Sequence, residues 1–276
     1  MLLTSHFSEI MKLHRYELLQ KCFQINSAYK PQEPSYEKIK YLMKKFQDVK
    51  NIYKPSSKLA LDELISPFRG RFKYLTYNKE KPTKWGIRII AVADSITGYC
   101  LELIPCFGNE TYERHKSSNL DELVVSIMAE NGLVDCDLYM DNYYCHPNLI
   151  SRLLTGGINT TGTYRLNRKD VPKLIKDAKV VKEKKKVQKD ELKTKTKRVK
   201  LNNESKNIRY FKSQNMFAVK WKDKREVNIL TTKHSLKLEA RTTARNRKVT
   251  KPIVIYEYNK YMRGVDKLNQ RIHYIK

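Results

Sequence analysis

At Lys58 the spacing of apolar residues changes from helical to strand-like, and this switch limits the fold more than any other feature of the chain. Before it, FSEIMKLHRYELL sets Phe7, Ile10, Met11, Leu13 and Leu18 at helical spacing. YEKIKYLMKKFQDV repeats the pattern with Ile39, Leu42, Met43 and Phe46, after the proline-broken connector YKPQEPS. After it, LALDELI reads as a strand followed by a turn at Phe68–Arg71. GIRIIAVAD and YCLELIPCF then flank the polar turn Asp94–Gly98, as in a β-hairpin. Residues 118–131 predict a helix with Leu120, Leu123, Val124, Ile127 and Met128 on one stripe. Asn119 and Glu122 stand at capping-box spacing, and Gly132 lies just past the end. LVDCDLYMD reads as a strand ending at Asp141, HPNLISRLL as a helix stopped by Gly156-Gly157, and INTTGTYRL as a further strand. Three strands, then helix, strand, helix and strand, predict an α/β fold. An antiparallel meander leads into right-handed crossovers, giving a mixed sheet flanked by helices.

Residues 173–200 differ in kind, with 13 Lys/Arg against 4 Asp/Glu and no aromatic residue. Such a run suits a solvated helix, a disordered insertion or a phosphate-contacting loop, and KTKTKRVKL looks like a nuclear-import patch. Strand-like order returns in NMFAVKWKDKREVNILTT, and a helical pattern begins at Tyr256.

Charge narrows the partners. Lys and Arg total 56 against 29 Asp and Glu, a formal net charge of +27 on 276 residues. A field of that sign favours DNA, RNA or an anionic membrane surface. No apolar stretch approaches the ~18–20 residues needed to span a bilayer, and MLLTSHFSEIMKLHR lacks the pattern of a signal peptide, so no membrane partner is expected. The 5 cysteines are odd in number and scattered without a CxxC pair, which fits reduced thiols rather than a disulfide framework or a zinc site.

Three aspartates carry the chemistry. Asp62 in LALDELISPFRGR and Asp141 in CDLYMDNYY close strand-like runs, and Asp266 in YNKYMRGVDKLNQ sits in a helical pattern. Carboxylates that converge from two strands and a helix can hold a pair of divalent cations, which clamp the attacking and leaving oxygens of a phosphodiester. Each Asp also has a plainer role, as turn former, helix cap or surface charge, and Asp94, Asp135 and Asp137 compete for the same position. Arg69, Arg71, Lys81, Lys84, Arg165, Arg168 and Lys169 flank the predicted strand ends as phosphate contacts or solvated charges. Trp85 and Trp221 border strand-like runs, where core packing is expected over base stacking.

The blocks LALDELISPFRGR, KPTKWGIRIIAVADSITGY, YMDNYYCHPNLISRLLTGGINTTGTYRLNRKDVP, VKWKDKREVNILTT and KPIVIYEYNKYMRGVDKLNQ, in this order, resemble the piggyBac transposase family over nearly the whole chain. The resemblance implies an RNase H-like catalytic core that binds two Mg²⁺ (or Mn²⁺) ions through Asp62, Asp141 and Asp266. It implies cut-and-paste DNA transposition at TTAA targets, a nuclear location and a homodimer. Residues 1–55 then correspond to part of a helical dimerisation and DNA-binding domain, 56–168 to the first part of the core, 169–251 to an insertion domain, and 252–276 to the core's final helix. More of the family's core, and its Cys-rich zinc-binding tail, are expected outside this chain. Asn269 stands where the family commonly places a further Asp, and Arg263-Gly264 where it usually has two glycines. Two functional readings follow: a metal-dependent DNA strand transferase, and a transposon-derived DNA-binding remnant without catalysis.

Overall fold

The computed structural model describes the chain except residues 1–6, 23–27, 31, 51, 80, 82, 169–170, 172, 178–207, 214, 223–224, 235–236, 243–245, 247 and 275–276. Most of the basic run, including the KTKTKRVKL patch, and Lys169 therefore lie outside the described residues. The chain divides into two compact units: Met1–Tyr53 with Phe107–Glu110, and Lys54–Cys106 with Thr111–Lys276.

The first unit is helical, with α1 (Phe7–Ile10), α2 (Leu13–Cys22), a 3-10 turn at Ser35–Lys38 and α3 (Lys40–Lys50). Met43 is buried, and the Ser35 N–H donates to Glu110 Oε2 at 2.8 Å.

The second unit is built on β1 (Lys58–Pro67), β2 (Leu75–Tyr77), β3 (Trp85–Asp94) and β4 (Cys100–Pro105), followed by α4 (Asn109–Arg114), which begins in the first unit, and α5 (Leu120–Glu130). Next come β5 (Asp137–Met140), α6 (Pro147–Thr155), β6 (Asn159–Thr163) and α7 (Lys173–Asp177). Strands β7 (Ile208–Ser213), β8 (Met216–Lys222), β9 (Glu226–Thr231), β10 (Leu238–Thr242) and β11 (Lys248–Pro252) precede α8 (Ile253–Tyr261) and α9 (Gly264–Tyr274).

One sheet runs β2-β3-β1-β5-β6-β9-β8-β7, with β4 also paired to β3, while β10 and β11 form a separate ribbon. Strands β1, β3 and β4 are the expected antiparallel meander, and β1, β5 and β6 are parallel to one another. This is the RNase H-like order. Residues 208–231, read from the sequence as part of an insertion, add β7, β8 and β9 to the same sheet through the β6–β9 pairing.

Burial explains why the central strands are apolar at consecutive positions. Leu59, Ala60 and Leu61 are all fully buried, so β1 is covered on both faces, and every residue of β5 is buried. On one face α9 places Val265 and Leu268 against Ala60, Leu64, Ala91 and Ala93. Helix α8 packs Val254 and Ile255 on Ile208, Val219, Trp221 and Ile229. Crossover helices α5 and α6 bury Leu123, Val124, Ile127, Met128, Leu149, Ile150 and Leu153. The Asn119 side chain caps α5 by accepting the Glu122 N–H at 3.0 Å, and the Glu122 carboxylate turns to Ser118.

Two expectations are corrected. The helical pattern around Asp266 is two helices, broken at Met262-Arg263, because Gly264 must approach the sheet closely. The core role expected of both tryptophans holds for Trp221, at 5% exposure, but Trp85 is 53% exposed because it opens β3 opposite the short edge strand β2.

Candidate active site

The parallel pairing of β1 with β5 sets Leu61 beside Met140. Asp62 follows on β1 and Asp141 is the residue just past β5, so the register brings the two to neighbouring positions. Asp62 Oδ1 accepts the Glu63 N–H at 2.7 Å. Asp141, just past β5, directs Oδ1 to the Tyr143 N–H at 2.7 Å, while its carbonyl accepts the Cys145 N–H at 3.0 Å. Asp141 thus does form a turn, as its plainer reading holds.

Asp266 comes from α9, and three neighbours fix that helix. A Cβ on Gly264 would lie 2.9 Å from Ala60 Cβ and 3.3 Å from the Ala93 carbonyl oxygen, so only glycine lets the helix start this close to β1 and β3. Val265 is buried beside it, and Lys267 Nζ donates to the carbonyls of Ser95 at 2.8 Å and Ile96 at 2.9 Å. Asp266 occupies the first turn, where the helix dipole favours a negative charge.

Electrostatics tie the three together. Burial pushes the Asp62 carboxyl up to about 6, against the Glu63 amide and the Lys81 charge, and the charges of Asp141 and Asp266 push the same way. The competing aspartates are spent elsewhere. Asp94 is buried, yet the amides of Ser56, Thr97 and Ile96 hold its carboxyl below the usual range. Asp137 is paired with both Lys58 and Lys233. Asp135 is exposed in a left-handed turn.

Beside Asp266 opens a cleft of about 630 Å³, whose lining includes Glu63, Lys81, Thr83, Arg263 and Asn269. Asn269, one turn beyond Asp266, thus faces the cleft. Among the described residues, no three His, Cys, Asp or Glu side chains already stand as a cation cage. The donor chemistry nonetheless fits a hard divalent ion, which takes oxygen ligands such as these three carboxylates.

The basic candidates separate into groups. Lys81 lines the cleft and donates to the Glu63 carbonyl at 3.2 Å. Arg69, Arg71 and Lys84 are exposed. Arg165, also exposed, and the half-buried Arg168 instead hold their own chain. Arg165 Nε donates to Asn142 Oδ1 at 2.8 Å, and Arg168 donates to the carbonyls of Asn142 at 3.1 Å and Tyr143 at 2.6 Å. Both brace the turn that carries Asp141.

Sequence reasoning missed Arg88 and Tyr258. Arg88 lies over the Tyr143 ring at 5.7 Å and 3.7 Å from Glu63, so it joins the segments that follow Asp141 and Asp62. Tyr258, on α8, pairs with the Thr163 hydroxyl at 3.3 Å, and burial raises its pKa, with Asp141 and Asp62 adding to the effect. It is one of 18 tyrosines, and nothing in its spacing sets it apart.

A mixed sheet that lines up two acidic strand positions, with a third on a packed helix, is the framework of the DDE-type transposases. The family model described as Transposase IS4 matches residues 2–276, and the chain belongs to that family. Among solved structures, a piggyBac transposase, determined by cryo-EM as a synaptic complex with hairpin DNA, is similar with a TM-score of 0.73. The two share 21% identity over 98% of this chain and 52% of that one, a likeness of fold. This chain therefore spans about half the length of that transposase.

Proposed function

We propose that this chain is the transposase domain of a piggyBac-type element, binding DNA and cutting and joining its strands at a site made by Asp62, Asp141 and Asp266. The observation that carries the proposal is the β1–β5 register that brings Asp62 and Asp141 to neighbouring positions. Burial first, and then the charges of Asp141 and Asp266, lift the Asp62 carboxyl to about 6. In an otherwise strongly basic protein, three such carboxylates suit a cation rather than a phosphate.

Asp62, Asp141 and Asp266 would hold two Mg²⁺ or Mn²⁺ ions, drawn together by rotation of side chains that now rest on local amides. When bound, such ions lower the pKa of an attacking water or 3′-hydroxyl and stabilise the leaving oxygen. The chain's own groups do the rest. The β1–β5 register fixes two carboxylates, and Gly264 and Lys267 fix the third. Lys81 and Arg263 bring positive charge to the cleft for a phosphate backbone. Asn269 offers a neutral oxygen where a carboxylate would add charge. DNA as partner, TTAA as target, a homodimer and a nuclear location follow from the same reading.

Nicking of supercoiled plasmid with Mg²⁺ or Mn²⁺ tests the proposal. Product should form only with the metal, and should fall at least about a hundredfold in Asp62→Ala, Asp141→Ala and Asp266→Ala, as expected when reacting geometry is lost. A variant that still cuts removes its residue from the site. The lack of a ready cage among the described residues, together with Asn269, favours a second reading, a DNA-binding remnant. That reading predicts binding that weakens steeply with salt, and no metal-dependent product.

A further inference from the structure

Between Pro67 and Gly86 the sequence interleaves 6 Lys/Arg with 5 aromatic residues and a single acid, Glu80. The structure shows what this composition builds. Tyr77 on β2 is the register partner of Trp85 on β3, and their rings lie 4.8 Å apart, tilted by 47°. Each is 53% exposed, which is unusual for the two largest aromatic types when they could shelter each other. Around them Arg69, Arg71, Lys73, Lys79 and Lys84 are exposed.

The pair is held rigidly. The Asn78 N–H donates to the Lys84 carbonyl at 2.8 Å, closing the β2–β3 connection, and the Thr76 hydroxyl donates to the Gly86 carbonyl at 2.9 Å. A Cβ on Gly86 would come within 2.1 Å of the Ser66 carbonyl oxygen, so β3 presses directly on β1 beside Trp85. Its position is also ordered relative to the acidic residues. Asp62 pairs with Ala91 on β3, six residues from Trp85, or about 20 Å at strand spacing. Thr83, in the connection just before Trp85, lines the cleft beside Asp266.

We infer that Tyr77 and Trp85 form a stacking platform for unpaired DNA bases, with the surrounding lysines and arginines holding the backbone. Every base offers a flat face to a ring, and a fixed ring pair in a positive surround is the arrangement that binds single strands without reading sequence. Duplex DNA hides those faces, so the platform acts only where strands have separated. The inference rests on the DNA reading above but not on catalysis or metal.

Trp221 is buried, which leaves Trp85 as the exposed tryptophan and makes its fluorescence the readout. The parent chain is titrated with a short oligothymidine, and separately with a duplex of the same length, at fixed salt in EDTA. Oligothymidine should quench the emission saturably. Trp85→Ala should abolish that quenching and weaken single-strand binding about 5- to 100-fold by anisotropy, the range for loss of one base stack. Duplex affinity and its salt dependence should not move, and Trp85→Phe should keep most of the single-strand affinity. Unchanged single-strand binding in Trp85→Ala overturns the platform, as does an equal loss for duplex, which would mean that the hairpin merely lost shape. A parent chain that binds neither form of DNA overturns the DNA reading itself.

Discussion

Asp62 carries a measurable cost. Its carboxyl titrates near 6 in the folded chain against an ordinary 3.8, because it is buried and stands with Asp141 and Asp266. Between those two values the folded chain holds a proton that the unfolded chain has released, so stability falls as pH rises from about 4 to about 6. At 1.36 kcal/mol per pH unit the penalty at neutral pH is on the order of 3 kcal/mol. Asp62→Asn should therefore raise the melting temperature at pH 7 without divalent ions and flatten its dependence between those pH values. A variant that melts like the parent at both ends would show that the carboxyl is not strained. Arg168 makes a second test. Its guanidinium holds the carbonyls of Asn142 and Tyr143, so Arg168→Ala should loosen the Asp141 turn and weaken Mn²⁺ binding about tenfold, the usual effect of removing an outer support. The salt dependence of duplex binding should stay the same, whereas loss of a phosphate contact would lower its slope by about one. The three aspartates stood out in the sequence through the periods of their segments, although Asp62 lies in the middle of β1 rather than at the strand end its apolar run suggested. The hold of Arg165 and Arg168 on the Asp141 turn was not legible, since an arginine after a strand looks the same whether it meets phosphate or its own chain.

Among the elements, α9 is held most tightly to the sheet where it begins. Gly264 leaves no space for a side chain against Ala60 and Ala93, and Lys267 ties the first turn to the carbonyls of Ser95 and Ile96. Gly264→Val should push the helix away, costing about 1–3 kcal/mol as an overpacked contact. It should also move Asp266 from its neighbours, so the Asp62 carboxyl should titrate lower, as NMR of its side chain would report. An unchanged Asp62 titration would mean that Asp266 is not part of the group. The main strands and crossover helices could be read from periodicity because each is long or fully apolar. Short strands β2, β10 and β11 could not: three to five residues give little alternation, and β10 is largely exposed. The break between α8 and α9 was equally hidden, because a glycine in a helical run signals a close neighbour only once that neighbour is in place.

At the scale of the whole molecule, the order of elements largely sets the sheet. A meander followed by strand-helix-strand units has few right-handed arrangements, and the one observed brings β1 beside β5. Sequence could not show that β9 would take the open edge of β6 and carry β8 and β7 into the same sheet. That edge exposes unpaired backbone groups which any later strand can satisfy. The high net positive charge of the chain contrasts with the three carboxylates of the proposed site, and the proposed chemistry depends on that contrast. Mn²⁺ titration followed by electron paramagnetic resonance, on the parent and on Asp62→Asn, Asp141→Asn and Asp266→Asn, tests it most directly. If the three carboxylates share a cation site, the parent binds Mn²⁺ and each single variant loses more than about a hundredfold in affinity, beyond what an outer support would cost. Mn²⁺ bound equally well by the parent and by all three variants would contradict the account, as would a parent that binds none.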